Sequence, residues 1–233
     1  MRGVEVIILA GGLGTRLRSA IGEVPKPMAP VDGKPFLHYQ FLWLESYGVD
    51  KVVLSIGYKA GMITDHFGQK FNGISIEYAI EKEPLGTGGA ILYAMRKTGG
   101  DRVLIVNGDT WFPVDIGRLV EEHESAAARL TIALKKMTNF SRYGTVELEG
   151  NRIVGFREKQ EMSVGLINGG IYLMNRSFVE NSVNMKKFSF EKDILEKRVE
   201  TGAIAGVVFD VPFIDIGVPG DYMGAGEVIK QKI

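Results

Sequence analysis

Short, nearly unbroken apolar runs alternate with segments of helical spacing along the first part of the chain. The runs Val4–Ala10 (VEVIILA), Lys51–Gly57 (KVVLSIG), Ile74–Ile80 (ISIEYAI), Arg102–Val106 and Leu130–Lys136 are rich in Val and Ile. Such runs predict strands covered on both faces. Between them, Phe36–Tyr47, a segment within Gly61–Phe71, a stretch reaching to about Lys97, and Asp115–Ala127 predict helices. Gly48 is the expected stop of the first of these. This alternation predicts an α/β chain with a Rossmann-like, doubly wound, mostly parallel sheet and right-handed crossovers.

From about Arg142 the pattern changes. TVELEGNRIVGF predicts a hairpin turning at Gly150-Asn151. INGGIYLMN, AIAGVVFD and FIDIG predict strands, FSFEKDILEKRVETG a helix ending at Gly202, and Asp221–Lys232 a terminal helix. The second half is therefore expected to add β-rich insertions that decorate the sheet. No internal repeat, low-complexity run or linker interrupts residues 1–233, which predicts a single domain.

Composition narrows the functions. The 233 residues are 45% hydrophobic and 24% charged, ordinary for a globular protein. Lys plus Arg and Asp plus Glu number 28 each, so net charge is zero. That gives no general attraction to nucleic acid or to an anionic membrane. With no cysteine, a disulfide scaffold and a Cys-ligated zinc site are excluded. The apolar start MRGVEVIILAGG is short and interrupted by Glu5, a poor signal peptide. No run approaches the roughly 20 apolar residues needed to cross a bilayer. A cytoplasmic location is expected.

Two glycine-rich loops carry the candidate chemistry. Leu9-Ala10-Gly11-Gly12-Leu13-Gly14-Thr15-Arg16 lies where the first strand gives way to a turn, and ligands of open α/β sheets bind beyond such strand ends. Glycines admit a phosphate close to the backbone, and Arg16 adds a positive fork. The spacing rules out a dinucleotide fingerprint, because Leu17 occupies its third glycine position, and a Walker loop, because no Gly-Lys-Ser/Thr follows. Lys26, between Pro25 and Pro27, stands on stiff backbone beside the loop. The second loop is Glu83-Pro84-Leu85-Gly86-Thr87-Gly88-Gly89-Ala90. Asp109 ends the strand in Asn107-Gly108-Asp109, and Asp215 sits between apolar neighbours in FIDIG. A carboxylate in that setting is costly unless a cation offsets it. A turn cap for Asp109 and a solvent-facing strand position for Asp215 are the plainer readings. Trp111 reads either as cleft lining or as packing. Trp43, His38, His66 and His123 read as packing or helix-surface residues.

The ordered set LAGGLGTRL, PKPM, EPLGTGGA, NGDT, RYGTVE, FREK, INGGIY and FIDIGVPGDY resembles the sugar-phosphate nucleotidylyltransferase family over nearly the whole chain. The resemblance implies the glycosyltransferase-A-like nucleotidyltransferase fold. It also implies attack of a sugar-phosphate oxygen on the α-phosphorus of a nucleoside triphosphate, with pyrophosphate leaving. Arg16, Lys26 and Asp109 would serve catalysis, and Asp109 with Asp215 would hold Mg²⁺. Leu9, Ala10, Gly11, Gly12, Gly14, Thr15, Arg16, Lys26, Glu81, Pro84, Gly86, Thr87, Gly88, Asn107 and Gly108 would contact the nucleotide. Gly144, Glu158, Lys159, Asn168 and Gly169 would contact the sugar phosphate, Lys159 gripping the phosphate. The implied partners are these two small molecules, not nucleic acid or a membrane, with a homo-oligomer left open.

Glu81 aligns with the family's base-reading position. A carboxylate accepts two parallel hydrogen bonds, matching guanine N1–H and N2–H₂, whereas uracil or thymine would present carbonyls to it. GTP is therefore expected. Several segments look most like the subgroup acting on D-glycero-D-manno-heptose 1-phosphate, whose product feeds bacterial surface polysaccharide. Mannose 1-phosphate guanylyltransfer and N-acetylmuramate 1-phosphate uridylyltransfer stay open, as does a non-catalytic nucleotide-sugar-binding regulator. The C-terminal β-helix of many relatives is not expected here.

Overall fold

The computed structural model describes residues 4–12, 14, 17–180 and 186–231. Strand β1 (Val4–Leu9) is followed by the short helix α1 (Arg18–Ile21), the small ladder β2 (Pro30–Val31) with β3 (Lys34–Pro35), and helix α2 (Phe36–Ser46). Gly48, at φ +69°, supplies the left-handed residue just past α2. Strand β4 (Lys51–Ile56), helix α3 (Ala60–Phe67), strands β5 (Lys70–Phe71) and β6 (Ile74–Ile80), and helix α4 (Gly86–Met95) follow. Then come β7 (Arg102–Asn107), β8 (Thr110–Trp111) and α5 (Ile116–Ser125). Asp115 caps α5 by accepting from Arg118 N at 3.0 Å.

The second half contributes β9 (Leu130–Phe140), β10 (Thr145–Glu149), β11 (Arg152–Arg157), β12 (Met162–Asn175), β13 (Ile204–Phe209) and β14 (Ile214–Asp215). The main sheet runs β10-β11-β13-β9-β12-β7-β1-β4-β6-β5. Its β7-β1-β4-β6 portion is parallel, as the alternation predicts. The remainder is mixed, so "mostly parallel" holds only for the N-terminal strands. β12 is antiparallel to both β7 and β9, while β13 runs parallel to β9. The later strands are therefore not decoration: β12 is inserted at the centre of the sheet. A further pairing of β10 with β12 closes β10, β11, β13, β9 and β12 into a ring.

Both sheet faces are covered, which is why the parallel strands read as continuous apolar runs. On one face Val6, Ile8, Val52, Leu54 and Leu104 pack with Phe36, Leu37, Phe41 and Leu44 of α2 and Ile63 of α3. On the other, Ile7, Val53, Val103 and Ile105 pack with Ile91, Ala94 and Met95 of α4 and with Phe190, Ile194 and Leu195. Three boundaries differ from expectation. The helix expected within Gly61–Phe71 stops at Phe67, because Lys70–Phe71 pairs with β6. The segment Phe188–Gly202 is not one α-helix; it holds a π-helix over Glu191–Leu195, one α-turn and a 3₁₀ turn. The terminal helix breaks at Gly224 into Pro219–Met223 and Ala225–Lys230. No helix among the described residues is long and apolar enough to cross a membrane.

His123 of α5 is buried. Its Nδ1 lies 2.8 Å from Thr131 Oγ1 and its Nε2 3.1 Å from Asn175 Oδ1. Burial, the largest influence, lowers its pKa below the ordinary value, and the Asn175 bond opposes this. The folded chain thus holds it neutral, while the unfolded chain takes up a proton below about pH 6.5. Stability is expected to fall as pH drops from about 6.5 towards the lowered folded value. His123→Gln should flatten that part of the melting-temperature profile; an unaltered slope would remove His123 from the account.

Candidate active site

The carboxyl ends of β1, β6 and β7 open onto one cavity of about 460 Å³. Leu9, Ala10, Gly11, Gly12, Lys26, Pro27, Glu81, Pro84, Gly86, Thr87, Ala90, Asn107, Gly108 and Asp109 line it. Nearly every nucleotide-side residue expected from the sequence is in this wall. Leu13, Thr15 and Arg16 lie outside the described residues. Gly14 is beside the wall, and a Cβ there would come within 2.8 Å of Lys26 Cγ. Pro27 and Ala90 are additional lining residues that carried no sequence signal of their own.

At the polar corner, Lys26 Nζ donates to Asp109 Oδ2 at 2.8 Å. The lysine side chain is 13% exposed and the aspartate 34%, so solvent screens the pair only in part. Asp109 sits in the turn joining β7 to β8. Gln40 of α2, almost fully buried, braces that turn by donating from Nε2 to Asn107 O (2.8 Å) and Thr110 O (2.9 Å). Strand β14 pairs antiparallel with β8, with Asp215 opposite Thr110, and Ile216 N donates to Asp109 O at 3.0 Å. Asp215 Oδ1 accepts from Gly217 N at 2.8 Å; a Cβ on Gly217 would lie 2.7 Å from Lys26 Nζ and 2.8 Å from that same oxygen. Two aspartates from distant stretches thus converge beside one ammonium group. Two hard oxygen donors on rigid backbone fit Mg²⁺, whose other positions go to water and phosphate oxygens. Among the described residues, no cluster of three or more His, Cys, Asp or Glu could hold a metal by itself.

Glu81 occupies the same cavity wall. Its Oε1 accepts from Ser55 Oγ at 3.0 Å and its Oε2 from Leu85 N at 3.2 Å. Each oxygen keeps a further lone pair. A Cβ on Gly11 would lie 2.9 Å from Glu81 Oε1, so the glycine loop clears room for that carboxylate as well as for a ligand.

Several assignments are corrected by position. Gly88 is buried beneath the Phe188 ring, where a Cβ would meet Cε2 at 2.1 Å, and its N–H donates to Phe188 O at 3.0 Å. It serves packing of the 186–190 segment and presents no free amide to a nucleotide. Gly169 likewise packs against Phe112, with no space for a contacting ligand. Trp111 is buried in β8, so it packs rather than lines the cleft. Glu158 and Lys159 are exposed beyond β11, and Glu158 pairs loosely with Lys192 at 3.8 Å. They stand apart from the nucleotide cavity. Gly144 closes on Arg157 O. Asn168 is tied into the interior: Nδ2 donates to Tyr172 Oη (2.9 Å) and Oδ1 accepts from Gly170 N (2.9 Å). Gly170 of this bulge abuts the amide of Asn107, a cavity-lining residue. Arg142, unremarked in the sequence, pairs with Asp221 at 2.9 Å and lies within electrostatic reach of Asp215.

The family model described as nucleotidyl transferase matches residues 5–232. The chain belongs to this family. Over 230 residues it is 52% identical to D-glycero-alpha-D-manno-heptose 1-phosphate guanylyltransferase of Aneurinibacillus thermoaerophilus, covering 99% of this chain and 100% of that one. It is 45% identical to the protein of the same name from Campylobacter jejuni, covering 94% and 97%. The crystal structure of HddC from Yersinia pseudotuberculosis complexed with GMP-PN superposes with a TM-score of 0.86 at 38% identity, covering 96% and 98%.

Gly108 N donates to Leu9 O, and a Cβ on Gly108 would lie 2.7 Å from that backbone oxygen. Gly108→Ala is expected to cost about 1–3 kcal/mol of stability by overpacking. It should also lower kcat/KM more than tenfold by displacing Asp109. Unchanged turnover in a folded variant would show that the β7–β8 turn need not hold this geometry.

Proposed function

We propose that this protein transfers the guanylyl group of GTP to D-glycero-α-D-manno-heptose 1-phosphate, forming the GDP-sugar and pyrophosphate for bacterial surface polysaccharide. One observation carries the reading: a single cavity is lined both by a carboxylate held open for a two-donor base edge, Glu81, and by the Lys26–Asp109 pair. The full-length likeness to two guanylyltransferases of that specificity supports the sugar. A cytoplasmic location is part of the proposal.

In this reading a phosphate oxygen of the sugar substrate, already ionised at neutral pH, attacks the α-phosphorus of GTP. The bond from α-phosphorus to the bridging oxygen breaks, and pyrophosphate leaves with the electron pair. No side-chain nucleophile is needed, so the protein's task is alignment and charge stabilisation. The backbone at Gly11 and Gly12 takes the triphosphate close to the main chain, with Arg16 supplying positive charge. Lys26 gives up part of its bond to Asp109 and donates to the α-phosphate oxygens as their charge develops. Glu81 accepts guanine N1–H and N2–H₂, while Ser55 and Leu85 N hold it in place. Asn168, Gly144, Glu158 and Lys159 are proposed for the sugar phosphate; for Glu158 and Lys159 this requires the β11–β12 turn to approach the cleft on binding. Mg²⁺ held by Asp109 and Asp215 would offset repulsion between the two phosphate groups.

Pyrophosphate release, assayed with GTP, ATP, UTP and dTTP against heptose, mannose, glucose and N-acetylmuramate 1-phosphates, should be fastest for GTP with the heptose. A faster pair would replace this substrate assignment. Asp109→Asn should reduce Mg²⁺-dependent kcat on the order of a hundredfold with the fold intact. Glu81→Gln should erode the GTP-to-UTP preference at least about tenfold; an unmoved ratio would refute base reading by Glu81.

A further inference from the structure

The cavity wall at Thr87 connects to the Asn168 bulge through partly buried polar groups, Glu191 and Ser189, and the buried Tyr172. Thr87 Oγ1 donates to Glu191 Oε2 at 2.7 Å and accepts from Phe190 N at 2.8 Å. Ser189 Oγ donates to the same carboxylate oxygen at 2.9 Å. On its other side Glu191 faces the Tyr172 hydroxyl, which is fully buried and accepts from Asn168 Nδ2 at 2.9 Å. Burial first, and the Glu191 charge second, push the Tyr172 pKa up, so the phenol keeps its proton beside the Glu191 carboxylate. The Tyr172 ring meets Phe190 edge-on at 5.3 Å, fixing the tyrosine next to the segment that carries Glu191. Glu191 opens the π-helix Glu191–Leu195, a wide turn that is rare and concentrates at functional sites.

We propose that Glu191 is a positioning residue that holds the nucleotide wall and the sugar-side bulge in fixed register, through Thr87 in one direction and through Tyr172 and Asn168 in the other. The proposal rests on the guanylyltransferase reading above. Its chemistry is directional. The carboxylate can only accept, so Thr87 and Tyr172 must both donate to it. Tyr172 then offers a lone pair to Asn168 Nδ2, and Asn168 Oδ1 is left to Gly170 N. The Asn168 amide is thereby fixed in one orientation, with one N–H and one lone pair free for a hydroxyl. A glutamine at 191 keeps only one acceptor oxygen, so either Tyr172 or the Thr87–Ser189 pair would face an NH₂ donor and lose its acceptor.

The test is steady-state kinetics of Glu191→Gln, Tyr172→Phe and the double variant, with GTP and the heptose 1-phosphate varied separately. Folding is monitored by melting temperature, and GTP affinity by calorimetry. Glu191→Gln should raise KM for the sugar phosphate about tenfold and KM for GTP severalfold, with kcat changed less than about threefold. Tyr172→Phe, which keeps the buried ring, should raise only the sugar-phosphate KM. In the double variant that KM should not exceed the larger single effect by more than about twofold, since one route carries both. Both KM values unchanged in Glu191→Gln, or sugar-phosphate effects that multiply, would overturn the proposal and leave the enzyme assignment standing. A wild-type protein that releases no pyrophosphate with any substrate pair would overturn that assignment, and this inference with it.

Discussion

An ammonium group held between carboxylates from distant parts of the chain governs this architecture. Lys26 enters on a proline-stiffened turn, Asp109 comes off the end of β7, and Asp215 arrives on β14 far along the sequence. Concentrating these charges in a half-buried corner carries a desolvation cost that only close opposition offsets. The surrounding structure supplies that closeness. Gln40 clamps both carbonyls flanking the Asp109 turn, β14 zips onto β8, and Gly217 leaves space where a side chain would collide with the lysine. The fold itself thus assembles the corner, with the lysine and both carboxylates held on braced backbone.

The glycine-rich loop after β6 serves two masters. Gly86, Thr87 and Ala90 face the cavity, while Gly88 and Gly89 admit the backbone and ring of the 186–188 segment at distances no side chain would tolerate. The same few residues thus form a wall of the cavity and a seat for the chain's own return. Thr87 lines the cavity, but its hydroxyl is already bonded to Glu191 and Phe190.

Sequence legibility followed burial and chemistry. β1, β4 and β7 were readable because two covered faces leave an unbroken apolar run. The start of β12 was not: Met162–Leu166 is partly exposed and interrupted by Ser163 and Gly165, and its membership in the sheet is decided by β9 and β10 rather than by its own residues. Gly11, Lys26, Asp109 and Asp215 were legible because close approach and paired charge demand those residue types at strand ends. Gly88 was misassigned because glycine signals close approach without saying what approaches; here it is Phe188. Gln40 and Glu191 were silent, since each resembles an ordinary polar helix residue until contacts 67 to 104 positions away draw it inward. The Phe188–Gly202 segment has helical composition, but the tie from Glu191 to Thr87 accompanies a widened turn that composition does not announce.

Strand β12 has a mechanical consequence. Its N-terminal half belongs to the closed five-stranded ring and its C-terminal half is stitched into the sheet beside β7. A rigid rotation of one half of the protein against the other would shear both ladders along a single continuous backbone. The molecule therefore has no flexure line between the halves that flank its cleft. Enclosure of a ligand in the cleft would then fall to loops and side chains at the rim, with Asp109, beside β8, and Asp215, on β14, carried by paired strands.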